Sequence, residues 1–276
     1  MKQLKVGLQL FSVRDAMEKD MDATLKAVKE MGYDYVEFAG YFGKTATEVQ
    51  ALLEKYQLTA ISVHQTPSLF WEEGQSAVAY LKTIGAKYCA IPWYSIDELK
   101  NHWEETVEKF VALGKLLKEN GIQLLYHNHD FELKLCGDTR YLDRLYDTID
   151  KEYLKPEFDV CWIRYADCDP ISYIEKYSDR MEVVHFKDFT CKQFGGGPVY
   201  GLIDEDGKEK PAPTREENGF RFQPVGQGMQ DWNGILRAVE KSGCEYVIVE
   251  MDESYETDSL ETAKQSRQYL KETFGI

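Results

Sequence analysis

The sequence predicts an α/β protein of the (β/α)8 barrel type, a single domain over residues 1–276, and three observations predict it. First, one phrase recurs along the chain: an amphipathic helix, a glycine, then a short β-rich run. It reads KEMGYDYVEF (29–38), KTIGAKYCAI (82–91), KENGIQLLYH (118–127) and EKSGCEYVIVE (240–250). A glycine behind Lys or Glu ends a helix by taking the left-handed cap conformation. Second, the run that follows is apolar on both faces, as a parallel strand buried between helices must be. Third, no GxGxxG follows any of these runs, so the dinucleotide-binding form of the competing doubly wound sheet has no support.

KVGLQL opens the series and LKPEFDV supplies one more strand, while EKYQLTAISV and EKYSDRMEVVHF repeat the phrase without its glycine. Strands are therefore expected near 5–10, 35–38, 59–63, 88–91, 123–127, 156–160, 182–186 and 246–250. Helices are expected at about 21–31, 45–56, 75–84, 97–120, 139–150, 170–178, 231–242 and 257–273. Eight such units in this length match a barrel. The connection over 187–230, rich in Gly, Pro and charge, breaks the rhythm. A connection this long usually carries function, and after a barrel strand it lies on the active-site face, so it is read as a lid or pocket wall.

Composition narrows the function. A net charge of −15 disfavours a nucleic-acid backbone as partner and would repel an anionic membrane. No apolar run approaches the ~18 residues that span a bilayer. The N-terminal MKQLKVGLQLFSVRD is too interrupted for a signal segment, so a cytoplasmic location is expected. Six scattered cysteines without a CxxC pair form no metal or disulfide framework by spacing.

Chemistry in a barrel sits at the C-terminal strand ends. Those ends offer Gln9 and Ser12, Glu37, His64, Trp93, the stretch LLYHNHDFEL (124–133), Asp159, His185 and Glu250. Four of the five histidines fall there; His102, in KNHWEE, reads as solvated. Burying such groups costs free energy unless they have partners. A lone buried His or Asp is ordinarily a hydrogen-bonded core residue, but imidazoles and carboxylates converging from strands five to eight suit one divalent cation. The mixed donors fit Mn, Mg, Co or Zn, and such a cation acidifies the C–H beside a carbonyl.

GLQLFSVRD, SVH, YHNHDFE, DVCW followed by Asp169-Pro170, VVHFKD, and VGQG before DW together resemble the xylose isomerase-like sugar phosphate isomerase/epimerase superfamily, from Gly7 to Glu250. The HNHDFE form resembles its inosose dehydratases and its lyases or epimerases of 3-keto-glycosides. The resemblance implies an enzyme that abstracts a proton next to a carbonyl of a keto-sugar, keto-glycoside or cyclitol through an ene-diolate, with Mn favoured. It also implies a sugar substrate and leaves open a homo-oligomer or a second subunit.

The superfamily commonly binds its metal through Glu, Asp, His and Glu of strands five to eight. Asp159, His185 and Glu250 match the last three, whereas His127 stands where the first Glu is expected. By the resemblance Glu132 becomes the first ligand and His127 the base, with His129 beside the substrate. The rival assignment makes His127 the ligand and Glu132 structural. Glu250 and Lys187 join His127 as candidate catalytic groups, Lys187 as an oxyanion stabiliser or merely a solvated loop lysine. Glu37, His64, Trp93, Trp162 and Gln227 are candidates for lining a sugar pocket, although the glycines around Gln227 equally suit a turn. A non-catalytic or partner-dependent sugar-binding barrel, and less so a DNA-repair endonuclease-like barrel, are the competing functions.

Overall fold

The computed structural model describes residues 4–195 and 219–276. Eight parallel strands close into a barrel in chain order: β1 (Lys5–Gln9), β2 (Tyr35–Phe38), β3 (Thr59–His64), β4 (Tyr88–Ile91), β5 (Gln123–His127), β6 (Lys155–Asp159), β7 (Val183–Phe186) and β8 (Tyr246–Val249), with β8 paired back to β1. Every predicted strand is present to within a residue at either end. Helices pack on the outside, and their apolar faces bury Leu25, Val28, Val49, Phe110, Leu117, Ile235 and Leu270 against the strands.

The helical expectations hold with corrections. The predicted 97–120 helix is two, Ile96–Asn101 and Trp103–Glu119, because His102 adopts φ −129° and ψ 39° between them. The helix expected at 75–84 starts earlier, at Pro67, since a proline is tolerated in a first turn; it bends at Glu73. Two short helices were not anticipated: Arg14–Lys19 and Val160–Tyr165.

Alternation along the strands decides what fills the barrel. Tyr35, Ile61, Tyr88, Ala90, Leu125, Val183, Tyr246 and Ile248 form an apolar lower layer. Two residues further along the same parity the lining turns polar: Gln9, Glu37, His127, Glu157, Asp159, His185 and Glu250. Barrel interiors are normally filled by branched apolar side chains, so a polar upper half marks where chemistry resides.

Of the 187–230 connection, the described ends form a small antiparallel ribbon, Asp188–Thr190 with Arg221–Gln223. Its Phe189 and Phe222, with Phe220, pack against Trp162 and Tyr165. Residues 196–218, on which much of the lid expectation falls, lie outside the described residues. Among the described residues no helix is long and apolar enough to cross a membrane.

Candidate functional site

The site is assembled at the ends of β5 to β8. Asp159 closes β6 and also caps the helix Val160–Tyr165: its Oδ1 accepts from the Cys161 and Trp162 N–H groups at 2.8 and 3.3 Å. That use of one oxygen leaves Oδ2 for the barrel interior, 3.7 Å from His127 Nε2 and 3.1 Å from Lys187 Nζ. Asn128 pins the two strand ends together by accepting from the Asp159 N–H at 3.1 Å. On the next strands, His185 Nδ1 stands 3.1 Å from Glu250 Oε2. Lys187 Nζ lies 2.8 Å from the same Glu250 oxygen and 3.0 Å from Asp252 Oδ1.

Beneath this tier lies a second one. Glu37 Oε1 accepts from Gln9 Nε2 at 2.7 Å and faces His185 Nε2 at 2.7 Å and His64 Nε2 at 3.1 Å. Glu157 Oε2 faces His64 Nε2 at 2.7 Å, His185 Nε2 at 3.4 Å and His127 Nδ1 at 3.5 Å. The His64 and His185 rings are stacked, 5.2 Å apart and 9° from parallel.

Burial without solvent sets the protonation of these groups. For His64, burial acts against charge, but the Glu37 and Glu157 carboxylates outweigh it and hold it at about 10. His185 is likewise pushed well up by Glu157 and Glu37. Burial, added to by neighbouring His185 and His64, drives His127 well below the usual imidazole range, and burial with Lys187 lowers His129 to about 3. Of the two, His127 belongs to the converging donors and is already in the neutral form that binds a metal, whereas His185 has to give up its proton when a cation takes its place. Burial raises Asp159 to about 6 and Glu157 to about 7, the latter helped by the Glu37 charge. Glu250 is held well below the usual carboxylate range, burial being overcome by Lys187 and His185.

One ligand atom from each of His127, Asp159, His185 and Glu250 can be chosen so that all lie within 4.8 Å of one another, and the same holds for His64, His127, Glu157 and His185. Buried atoms here lack a hydrogen bond: Glu157 Oε1 and His127 Nδ1 within the sets and Glu37 Oε2 beside them, while Asp159 Oδ2 has only the Lys187 ammonium, at 3.1 Å. Unsatisfied buried oxygens and nitrogens are costly, and two imidazoles with two carboxylates are a donor set that a divalent cation satisfies. The residues present fit such an ion.

The profile of the xylose isomerase-like TIM barrel family matches residues 25–273, most of the chain. The chain belongs to the xylose isomerase-like TIM barrel family. Inosose dehydratase of Lacticaseibacillus casei is 27% identical over 191 residues, covering 67% of this chain and 58% of that protein. The same enzyme of Clostridium perfringens strain 13 is 27% identical over 185 residues, 66% of this chain and 58% of that one. The chain thus spans less than two thirds of the length of these relatives. Among solved structures, a sugar phosphate isomerase/epimerase from Parabacteroides distasonis superposes with a TM-score of 0.77 at 22% identity, covering 99% of both chains. An IOLI protein with a bound zinc atom gives 0.68 at 14%, covering 98% of this chain and 97% of that one. These superpositions show the barrel that family members share.

Within this family barrel the structure sorts the residues singled out from sequence. His127, Asp159, His185 and Glu250 come together, with Lys187 against two of them. Glu132 does not join them. A 3-10 turn at Phe131–Leu133 folds it back against the strand, where its oxygens accept from the His129 N–H at 2.8 Å and the Tyr126 hydroxyl at 2.9 Å. Tyr126 has the opposite parity to His127 and packs outward on Phe110, 5.9 Å between ring centroids, so Glu132 is held away from the four donors.

His129 stands beside the site between Phe131 and Trp162, each 5.6 Å between ring centroids. Glu37 and His64 form the lower tier instead of a pocket wall. Trp93 packs edge-on against Phe131. Trp162 is fully buried, with Phe220 stacked on it at 5.6 Å and 14°, and Lys187 Nζ 5.0 Å above its ring.

The structure does not bring Gln227 to the site: its side chain is exposed and donates to Gln265 on the last helix. The VGQG segment serves Asp188, whose carboxylate accepts from the N–H groups of Gly226, Gly228 and Gln230 and from Trp232 Nε1. Gly228 is required for that approach, because a Cβ there would stand 2.1 Å from Asp188 Oδ1. Gly228→Ala is expected to cost about 1–3 kcal/mol of stability through forced displacement, read as a lowered midpoint in urea unfolding.

Two site residues escaped the sequence reading. Glu157 lies two positions before Asp159 and shares its face, so strand parity could have found it. Asp252 follows Glu250 by two, and nothing in the sequence distinguishes it from a solvated loop acid.

Proposed function

We propose that this barrel is a divalent-metal-dependent enzyme acting on a keto-sugar or keto-cyclitol, moving a proton beside its carbonyl. Elimination of water, as in the inosose dehydratases it resembles, is the favoured outcome over isomerisation or epimerisation. The observation that carries this reading is the convergence of His127, Asp159, His185 and Glu250 from four successive strand ends. His127, in place of the Glu expected by the resemblance, leaves two carboxylates and two imidazoles. That set moves the preference from Mg and Mn toward Co and Zn.

A cation held there polarises a carbonyl and offsets the negative charge left when the neighbouring proton departs. Glu250 is kept ionised by Lys187 and His185, which suits its Oε2 to holding a cation and makes it a weak proton acceptor. The Lys187 ammonium, between Asp159, Glu250 and Asp252, is placed to donate toward a departing or negatively charged oxygen. Trp162, covered by Phe220 on one side and His129 on another, backs the site and fixes the neutral His129 ring beside it.

Elemental analysis of the purified chain, followed by incubation of an inosose and of 3-keto-sugars in deuterated water, tests this. One divalent ion per chain with deuterium entering beside the carbonyl, lost on chelation and regained on reloading, is the expected result. A chain that takes up no cation and exchanges no deuterium sinks the reading.

A further inference from the structure

His127 and His185 each straddle the two tiers. His127 turns Nε2 to Asp159 and Nδ1 to Glu157; His185 turns Nδ1 to Glu250 and Nε2 to Glu37 and Glu157. A neutral imidazole carries one lone pair and one N–H. If the upper nitrogens bind a cation, the lower nitrogens must carry hydrogens, and what faces them is carboxylate. We propose that Glu37 and Glu157, clamped by His64, are positioning residues that fix the tautomers and tilt of His185 and His127, so that both imidazoles present their lone pairs to one cation in the upper tier. The inference rests on the functional reading above and deepens it.

Three features of the lower tier support this role. Its acceptors are crowded with donors: Glu37 Oε1 alone takes Gln9 Nε2 at 2.7 Å and His185 Nε2 at 2.7 Å, with His64 Nε2 at 3.1 Å. These contacts bridge β1, β2, β3 and β7, so the ring of His185 is tied to half the barrel. All the groups are buried, and electrostatic orientation is strongest where water is absent. Finally, the tier leaves negative charge beneath the cation, because two carboxylates face a single histidine outside the ligand set.

The rival arrangement is a second cation held by His64, His127, Glu157 and His185. It draws on the same two histidines as the upper site. Each can give its lone pair to one centre, so the two sites compete for half of their ligands. Hydrogen bonding of His185 to Glu37 and of His64 to Glu157 needs no such sharing, and His127 Nδ1, 3.5 Å from Glu157, closes on it by a small tilt of its ring.

Glu37→Gln, Glu157→Gln and the charge-conserving Glu157→Asp are to be compared with wild type in the full chain. The measurements are cation stoichiometry, Co(II) affinity by chelator competition, the visible spectrum of the Co(II) form, and the 15N shifts of the histidine rings. The expected result is one cation per wild-type chain, and affinity 10- to 100-fold weaker in both Gln variants, about the loss typical when such a partner is removed. The Co(II) spectrum should change, the 15N shifts should show a changed tautomer, and Glu157→Asp should recover part of the affinity. Unchanged affinity and spectrum in both Gln variants overturn the proposal and leave the functional reading standing. Two cations per wild-type chain, falling to one in Glu157→Gln, overturn it in favour of the inner cation site. A wild type that binds no Co(II) overturns the functional reading, and this proposal with it. Should a Gln variant not fold, the wild-type 15N shifts decide alone: hydrogens on His127 Nδ1 and His185 Nε2 are expected in the loaded chain, and the opposite tautomers overturn the proposal.

Discussion

If the wild type binds one cation as proposed, a His127→Asn chain is expected to purify without it, while a Glu132→Gln chain keeps it. The strand-five resemblance favoured the reverse, and the geometry separates the two residues clearly. His127 is a member of the converging donor set, and its nitrogens lie 3.5 and 3.7 Å from two carboxylates. Glu132 spends both oxygens on Tyr126 and the His129 N–H. Losing one of four ligands should weaken binding by at least about 100-fold, beyond the 10- to 100-fold typical of an outer partner, with turnover falling in step.

The same pair of variants separates on pH. Burial pushes Glu132 up to about 8 from an ordinary 4.5. Between those values the folded chain holds a proton that the unfolded chain has released, so Glu132 makes stability fall as pH rises through that window. Glu132→Gln stays neutral throughout and should lose this slope, gaining on the order of a few kcal/mol relative to wild type near pH 8. Urea unfolding at pH 5.5 and 8 reads the difference. Loss of metal from Glu132→Gln, with retention by His127→Asn, would restore the assignment that the resemblance implied.

Strand positions were legible because a doubly covered parallel strand has to be apolar on both faces, and because Gly32, Gly85 and Gly121 close the preceding helices with positive φ. Asp159, His185 and Glu250 were legible for the complementary reason: each is a polar residue where an apolar run stops. The helix Val160–Tyr165 was not, since VCWIRY continues the strand's apolar composition, and only the capping by Asp159 turns it into a helix. Glu132 was illegible because its destination depends on the tight turn after β5. Whether such a turn aims a carboxylate inward or back onto Tyr126 is decided by tertiary packing around Phe131, not by local pattern. Strand parity placed His127 and His129 on one face, and their rings do meet at 5.3 Å. That parity could not say that Glu157, buried mid-strand, answers to His64 across the barrel.

Lys187→Met is expected to destabilise the metal-free chain and to make its stability depend strongly on added cation. Lys187 is 1% exposed, and its ammonium contacts Asp159, Glu250 and Asp252 at 2.8–3.1 Å. Methionine is close to lysine in length, so what is removed is chiefly the charge, together with its place 5.0 and 5.6 Å from the Trp162 and Phe222 ring centroids. Taking one partner from a buried ion cluster costs about 3–5 kcal/mol, because the remaining charges stay desolvated and unpaired. A divalent cation, if held by Asp159 and Glu250 as proposed, would supply that missing charge. It no longer meets an ammonium at the same two oxygens, so it should bind the variant more tightly than the wild type. The rise in Tm on adding Co(II) or Zn(II) should therefore be larger in Lys187→Met than in wild type, while turnover drops because the proton donor beside the carboxylates is gone. If the variant's Tm does not respond to the cation more than the wild type's does, Lys187 and the metal do not share those oxygens, and the lysine's part in the chemistry has to be sought at Asp252 instead.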